Sequence, residues 1–410
     1  MIPLRGGGGL QPAAVLVFAS LAALGRAEVQ GEGRTPRPAV DPYTQGDPQA
    51  AKSAGYVSFG PFLWGDDHTS ERVQAVLGGE PLIWVETAHF RLGSSLDEYD
   101  FPSDRIERKK LEGELARLKE RLSGLKGKVK KLDPWLRLHL YALRLEDLYS
   151  DFLREFALEE SEFPGPAGAR PMGRGPYLGM ADKFTVLLLE KKSALARYTS
   201  TYCEKAWEAS FRYYFTKSDG LFCGLSYDAL EGELQNDLVF HYALVFLVTQ
   251  NLYGGFRGYD SEGPVWWQEG LARWFARKVD PRCLLYTAGK DETLRDELEA
   301  DWEPKVRARV GHAYFPSVEE MLAWKDPEEW EFSRHMMAWS RVDFVLRRDR
   351  AKARALLMDL REPIPWSPER PREELLAERS RNALQSALGK DLAAFDREWA
   401  AWVFENYAKR

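Results

Sequence analysis

Asn236-Asp237-Leu238-Val239-Phe240-His241-Tyr242-Ala243-Leu244-Val245-Phe246-Leu247-Val248-Thr249-Gln250 is a helix with no face for water. From Leu238 to Val248 every residue is apolar or aromatic except His241. A helix apolar on all sides belongs inside a sizeable domain. The run is too short to cross a membrane. A lone imidazole at its centre has to be paired, ligated or kept neutral, because an unpaired buried charge is costly. A Gly-rich break follows, and Gly263-Pro264-Val265-Trp266-Trp267-Gln268-Glu269-Gly270-Leu271-Ala272 opens a second helix with Glu269 in its first turn.

This arrangement resembles the gluzincin zinc metallopeptidases, in particular their peptidase MA-like domains. That family carries His-Glu-x-x-His on a buried helix, and a second helix with a Trp-x-x-Glu-Gly-Leu-Ala pattern supplies the third ligand. Trp266 to Ala272 fits the second half. In the first half His241 stands at the first ligand, while Tyr242 occupies the general-base position and Val245 that of the second histidine. The resemblance runs from about Trp84 to the C-terminus. It implies an α+β, zincin-like fold: an N-terminal mixed sheet with helices and the buried helix, then a mainly helical C-terminal subdomain.

The rest of the chain divides accordingly. Residues 1–27 have Arg5, an apolar stretch from Ala13 to Leu24 and a small-x-small cleavage site at Gly25-Arg26-Ala27, as an export signal does. Residues 28–50, rich in Gly, Pro, Gln and Asp, read as a disordered linker. Residues 80–250 form the zincin-like subdomain, with strands expected at Pro81–Leu92, Phe184–Glu190 and Leu221–Ser226 and a helix over Lys191–Phe215. A helical pair is inserted near 104–156. In its first member Leu111, Leu115, Leu118, Leu122, Leu125, Val129 and Leu132 make a heptad seam. Such a seam serves either a partner or the helix that follows, which Asp133 and Pro134 start. Residues 161–180 read as a loop. Residues 251–410 are helical, with His335 on a helix over Trp330–Arg347, Gly389 as a C-cap and Asp391 as an N-cap.

Composition narrows the partners. A net charge of −6 without a long basic run argues against nucleic acid. Once the signal is removed, no membrane span is expected. The three cysteines, Cys203, Cys223 and Cys283, match no metal or redox spacing, although Cys203 and Cys223 could bridge in an oxidising compartment.

The chemistry turns on what the family pattern lacks here. A zinc peptidase needs three protein ligands and a base for the metal-bound water. Val245 cannot ligate, and a tyrosine at 242 cannot replace a carboxylate near neutral pH, its phenol titrating at about 10. His241 and Glu269 remain as a degenerate metal pair, expected to be vacant, in a cleft walled by Asp237, Tyr242, Val245, Trp266 and Trp267. Asp237 reads as a helix N-cap, and Glu269 as an acceptor for His241 or Tyr242. His335 is a further histidine that could approach the cleft. The expectation is an exported, catalytically inactive metallopeptidase homologue that needs no cofactor and binds peptide or cell-envelope components. Two alternatives stand beside it: an active peptidase with an atypical zinc site on His241 and Glu269, and an interaction protein acting through 104–132.

Overall fold

The computed structural model describes residues 40–409 apart from 79, 164–174, 209, 231–234, 259–262, 282–300, 328–329, 362–363 and 365–366. The signal over 1–27 and most of the 161–180 loop lie outside the described residues. The protein is mixed α+β, with one five-stranded mixed sheet and many helices. Numbered along the chain within this sheet, the strands are β1 (Ile83–Glu86), β2 (Phe90–Ser94), β3 (Phe184–Leu189), β4 (Phe211–Phe215) and β5 (Gly220–Ser226). Their spatial order is β1-β2-β3-β5-β4; β2, β3 and β5 run parallel and each edge strand is antiparallel to its neighbour.

Strand β3 reads Phe-Thr-Val-Leu-Leu-Leu and all six residues are buried, the pattern of a strand covered on both faces. Alternation sends Phe184, Val186 and Leu188 into the main core, and Leu187 and Leu189 into a smaller one with Trp64, Val73, Leu195 and Tyr198. The sheet therefore divides two apolar layers. The central helix, Asp237–Phe256, whose Leu238–Val248 run is apolar but for His241, lies in the larger. From Asp237 onward every described element is a helix.

Several expectations give way to tertiary contacts. Pro81–Leu92 is a hairpin rather than one strand, and His89 sits in its turn with Nδ1 2.7 Å from Glu146. The helix expected over Lys191–Phe215 stops at Tyr202, and the aromatic run Phe211–Phe215 becomes edge strand β4. The heptad helix spans only Arg105–Arg121. Its seam is cut because the chain around Tyr43 crosses there. Gly124 donates to the Tyr43 carbonyl at 3.2 Å, and a Cβ on Gly124 would lie 2.5 Å from that oxygen. Leu111, Leu115 and Leu118 are buried in the core shared with helix Pro134–Glu155.

The linker expectation fails over 40–50. Asp41 is buried and accepts from Tyr43 N, Thr44 N and the Thr44 hydroxyl. His139 of helix Pro134–Glu155 joins it, 3.0 Å away through Nε2, with Nδ1 2.7 Å from the Tyr56 hydroxyl. Asp47 then caps helix Pro48–Ser53. The Cys203–Cys223 bridge is also absent. Both thiols are free, and they lie in different cores on opposite faces of the sheet. Asp133, Gly389 and Asp391 cap as their positions suggest.

Candidate functional site

The central helix begins at Asn236, whose side chain accepts from Val239 N at 2.9 Å. Asp237 is therefore not the cap. Its carboxylate turns sideways into a buried network, accepting from the Tyr141 hydroxyl at 2.6 Å and from Arg144 Nη1 at 2.8 Å. Arg144 is held in turn by both oxygens of Glu114, at 3.1 and 2.8 Å. Burial alone would raise the Asp237 carboxyl, but Arg144, Arg137 and Tyr141 hold it below its usual range. One turn on, His241 is 6% exposed, and its Nδ1 has no hydrogen-bond partner among the described residues. Burial, then Arg144 and Lys110, push its pKa well below the ordinary value, so the ring is neutral.

Glu269 belongs to a different cluster. Its helix, Val265–Arg277, packs between the central helix and helix Phe332–Arg348. Glu269 Oε1 accepts from Arg273 Nε at 2.9 Å and Nη2 at 2.8 Å, and His335 Nδ1 lies 3.2 Å from the same oxygen. Gln250 Nε2 is 3.4 Å from Oε2. Gln250, Glu269, Arg273 and His335 are each at most 2% exposed. Burial pushes the Glu269 carboxyl up, yet Arg273 and His335 outweigh it and keep the group ionised. His335 moves the other way: burial, then Arg273, push it down to about 4.

These contacts fix the register of the two helices. Gln250 meets Glu269, and the Arg273 guanidinium carbon lies 5.1 Å from the centre of the Phe246 ring. A step of four back along one helix matches a step of four forward along the other, so they run antiparallel. His241 sits nine residues before Gln250, roughly 13 Å along the axis at 1.5 Å per residue. His241 and Glu269 share no hydrogen bond or ion pair among the described residues, and Glu269 takes its bonds from Arg273, not from His241 or Tyr242.

The donor set facing Glu269 does not suit zinc. Where contacts join the central helix to the Glu269 cluster, at 246 and 250, it carries Phe and Gln. Among the described residues no three His, Cys, Asp or Glu side chains are grouped to hold a metal. The expected cleft is filled: Asp237, Tyr242, Val245, Trp266 and Trp267 are between 0 and 5% exposed, and the two indoles pack edge to face at 5.7 Å. The sequence reading named Glu269 and His335 but missed Arg273, Gln250 and Phe246. The available signal was Arg273 four residues after Glu269, the spacing of a helical ion pair.

No helix among the described residues is long and apolar enough to cross a membrane. No protein-family model matches this chain, and no curated protein matches it.

Proposed function

We propose that this is an exported, zincin-like protein that does not hydrolyse peptides and serves by binding peptide or cell-envelope components. The observation that carries the reading is the closure of Glu269 by Arg273. The carboxylate that the family pattern would give to a metal is here paired through Oε1 with a guanidinium from its own helix. General-base chemistry has no candidate at 242, where Tyr242 is buried in the core. Export rests on the pattern of residues 1–27.

Because the expected cleft is filled, binding in this reading falls to the surface. A groove of about 500 Å³ is walled by Asp47, Lys52, Tyr56, Ser58 and Phe59, beside the edge of β1 where Ser58 bridges Glu86. Aromatic rings with one charge of each sign suit a peptide. Metal analysis of the purified protein and digestion of a broad peptide library test the reading. We expect no stoichiometric metal and no cleavage. Zinc at one per chain, with cleavage abolished by a chelator, would overturn it in favour of an atypical peptidase.

A further inference from the structure

His89 stands between two carboxylates, where the turn from β1 to β2 meets helix Pro134–Glu155 and the short 3-10 turn Glu160–Glu162. Its Nδ1 lies 2.7 Å from Glu146 Oε2 and its Nε2 3.2 Å from Glu160 Oε1. The inner carboxylate is fixed: Glu146 Oε1 accepts from the Thr87 hydroxyl at 2.5 Å and from His89 N at 3.0 Å. Burial would raise the Glu146 carboxyl, but His89 and Thr87 hold it below its ordinary value. An ionised carboxylate only accepts, so Nδ1 carries a proton, and a ring that also bonds Glu160 carries a second on Nε2. The outer carboxylate is loosely held, its side chain 66% exposed against 23% for Glu146.

The other groups around the ring leave that second proton to Glu160. The Tyr149 ring stacks on His89 at 3.7 Å, and burial, then Glu160 and Glu146, raise its phenol, which stays neutral. Lys183, just before β3, is engaged by the Thr87 carbonyl at 2.6 Å and by Glu86 at 3.1 Å. On the far side of the 3-10 turn, Arg354 donates to the Ala157 carbonyl and to both oxygens of Glu162, at 3.1 and 2.5 Å. That pairing lowers the Glu162 carboxyl and raises the Arg354 guanidinium, so both stay charged where imidazoles titrate.

We propose that His89 is a proton-operated latch between the sheet and the Glu160 turn. The Nε2 proton faces the exposed carboxylate and leaves first, while Nδ1 stays on Glu146. The ring then turns a lone pair toward Glu160, and the turn lets go of the sheet. Because the Arg354 tie persists, a rise in pH moves the polar anchorage of the turn from the sheet to helix Arg350–Arg361. The latch goes beyond the binding role proposed above and does not depend on it.

Amide hydrogen exchange over residues 157–163 of the full chain tests this, at about pH 5.5 and about pH 8.5, on either side of the imidazole range. Dividing each variant's rate by that of wild type at the same pH removes the intrinsic pH dependence of exchange. Glu160→Gln, at an exposed side chain, should exchange faster than wild type at the acid pH by about 1.4- to 5-fold, the worth of an exposed ion pair. At the alkaline pH the ratio should fall to one. Glu162→Gln, which weakens the Arg354 tie, should speed exchange at both. Adding Glu160→Gln to His89→Gln should change nothing further at either pH. A Glu160→Gln ratio that is one at the acid pH, or the same at both, overturns the latch. So does an effect of Glu160→Gln that survives in the His89→Gln background.

Discussion

At the scale of single residues, His335 and Glu269 tie stability to pH in the same direction. His335 titrates at about 4 in the folded chain against an ordinary 6.5, so between those values the unfolded state binds more protons. Stability is then complete above pH 6.5 and declines as the pH falls toward 4. At about 1.4 kcal/mol per unit the loss approaches ~3 kcal/mol. Glu269, held below its ordinary 4.5, adds a second loss at still lower pH. Urea midpoints measured from neutral pH down to about pH 4 should fall, and His335→Gln should flatten the upper part of that fall. Removing the carboxylate is harsher. Glu269→Ala leaves a buried guanidinium without its counter-charge and should cost about 3–5 kcal/mol. Glu269→Ala with Arg273→Met should recover much of this, as a double-mutant cycle in denaturant will read. The sequence disclosed Glu269 as a residue of interest and not its partners. Arg273 could be found from spacing alone, but His335 is 66 residues away and reaches Glu269 only through helix packing.

At the scale of elements, the close approach of two helices depends on one missing side chain. A Cβ on Gly270 would lie 2.5 Å from the Ala338 carbonyl and 2.8 Å from Val342 Cγ2. Gly270→Ala should therefore destabilise the fold by about 1–3 kcal/mol, although alanine favours a helix by roughly 1 kcal/mol over glycine. Thermal unfolding measures which effect prevails; a stabilised variant would mean that the helices can part without penalty. Elements with their own periodicity were legible: β3 is apolar throughout, and the central helix is apolar on every side. Elements cut by a distant chain were not. Leu122 to Leu132 continue the heptad in sequence, but the Tyr43 segment occupies the path the helix would take. A peptide of residues 104–132 should accordingly stay monomeric, because its leucines belong to helix Pro134–Glu155. Light scattering on that peptide decides the matter, and a dimer would restore the partner-helix alternative.

At the scale of the whole molecule, the stretch before β1 acts as a tie across the inserted helices, and its decisive contact spans 98 residues, from Asp41 to His139. Nothing local in Asp41-Pro42-Tyr43-Thr44 announces that contact, and its polar composition reads as loop. The sheet, by contrast, leaves a usable mark. Cys203 faces the smaller apolar layer and Cys223 the larger, each buried, with burial pushing the Cys223 thiol up to about 12 and Cys203 up as well. Thiolate is the reactive form, so neither sulfur should be alkylated while its layer is closed. In a Cys283→Ala background, a thiol reagent applied under native conditions thus becomes a clock with two hands, one for each side of the sheet. Cys203, at the C-terminal cap of helix Lys192–Tyr202 and off the sheet, should be modified first. Cys223, on a strand bonded along both edges, should wait for global unfolding, and mass spectrometry of the modified peptides will time the two separately.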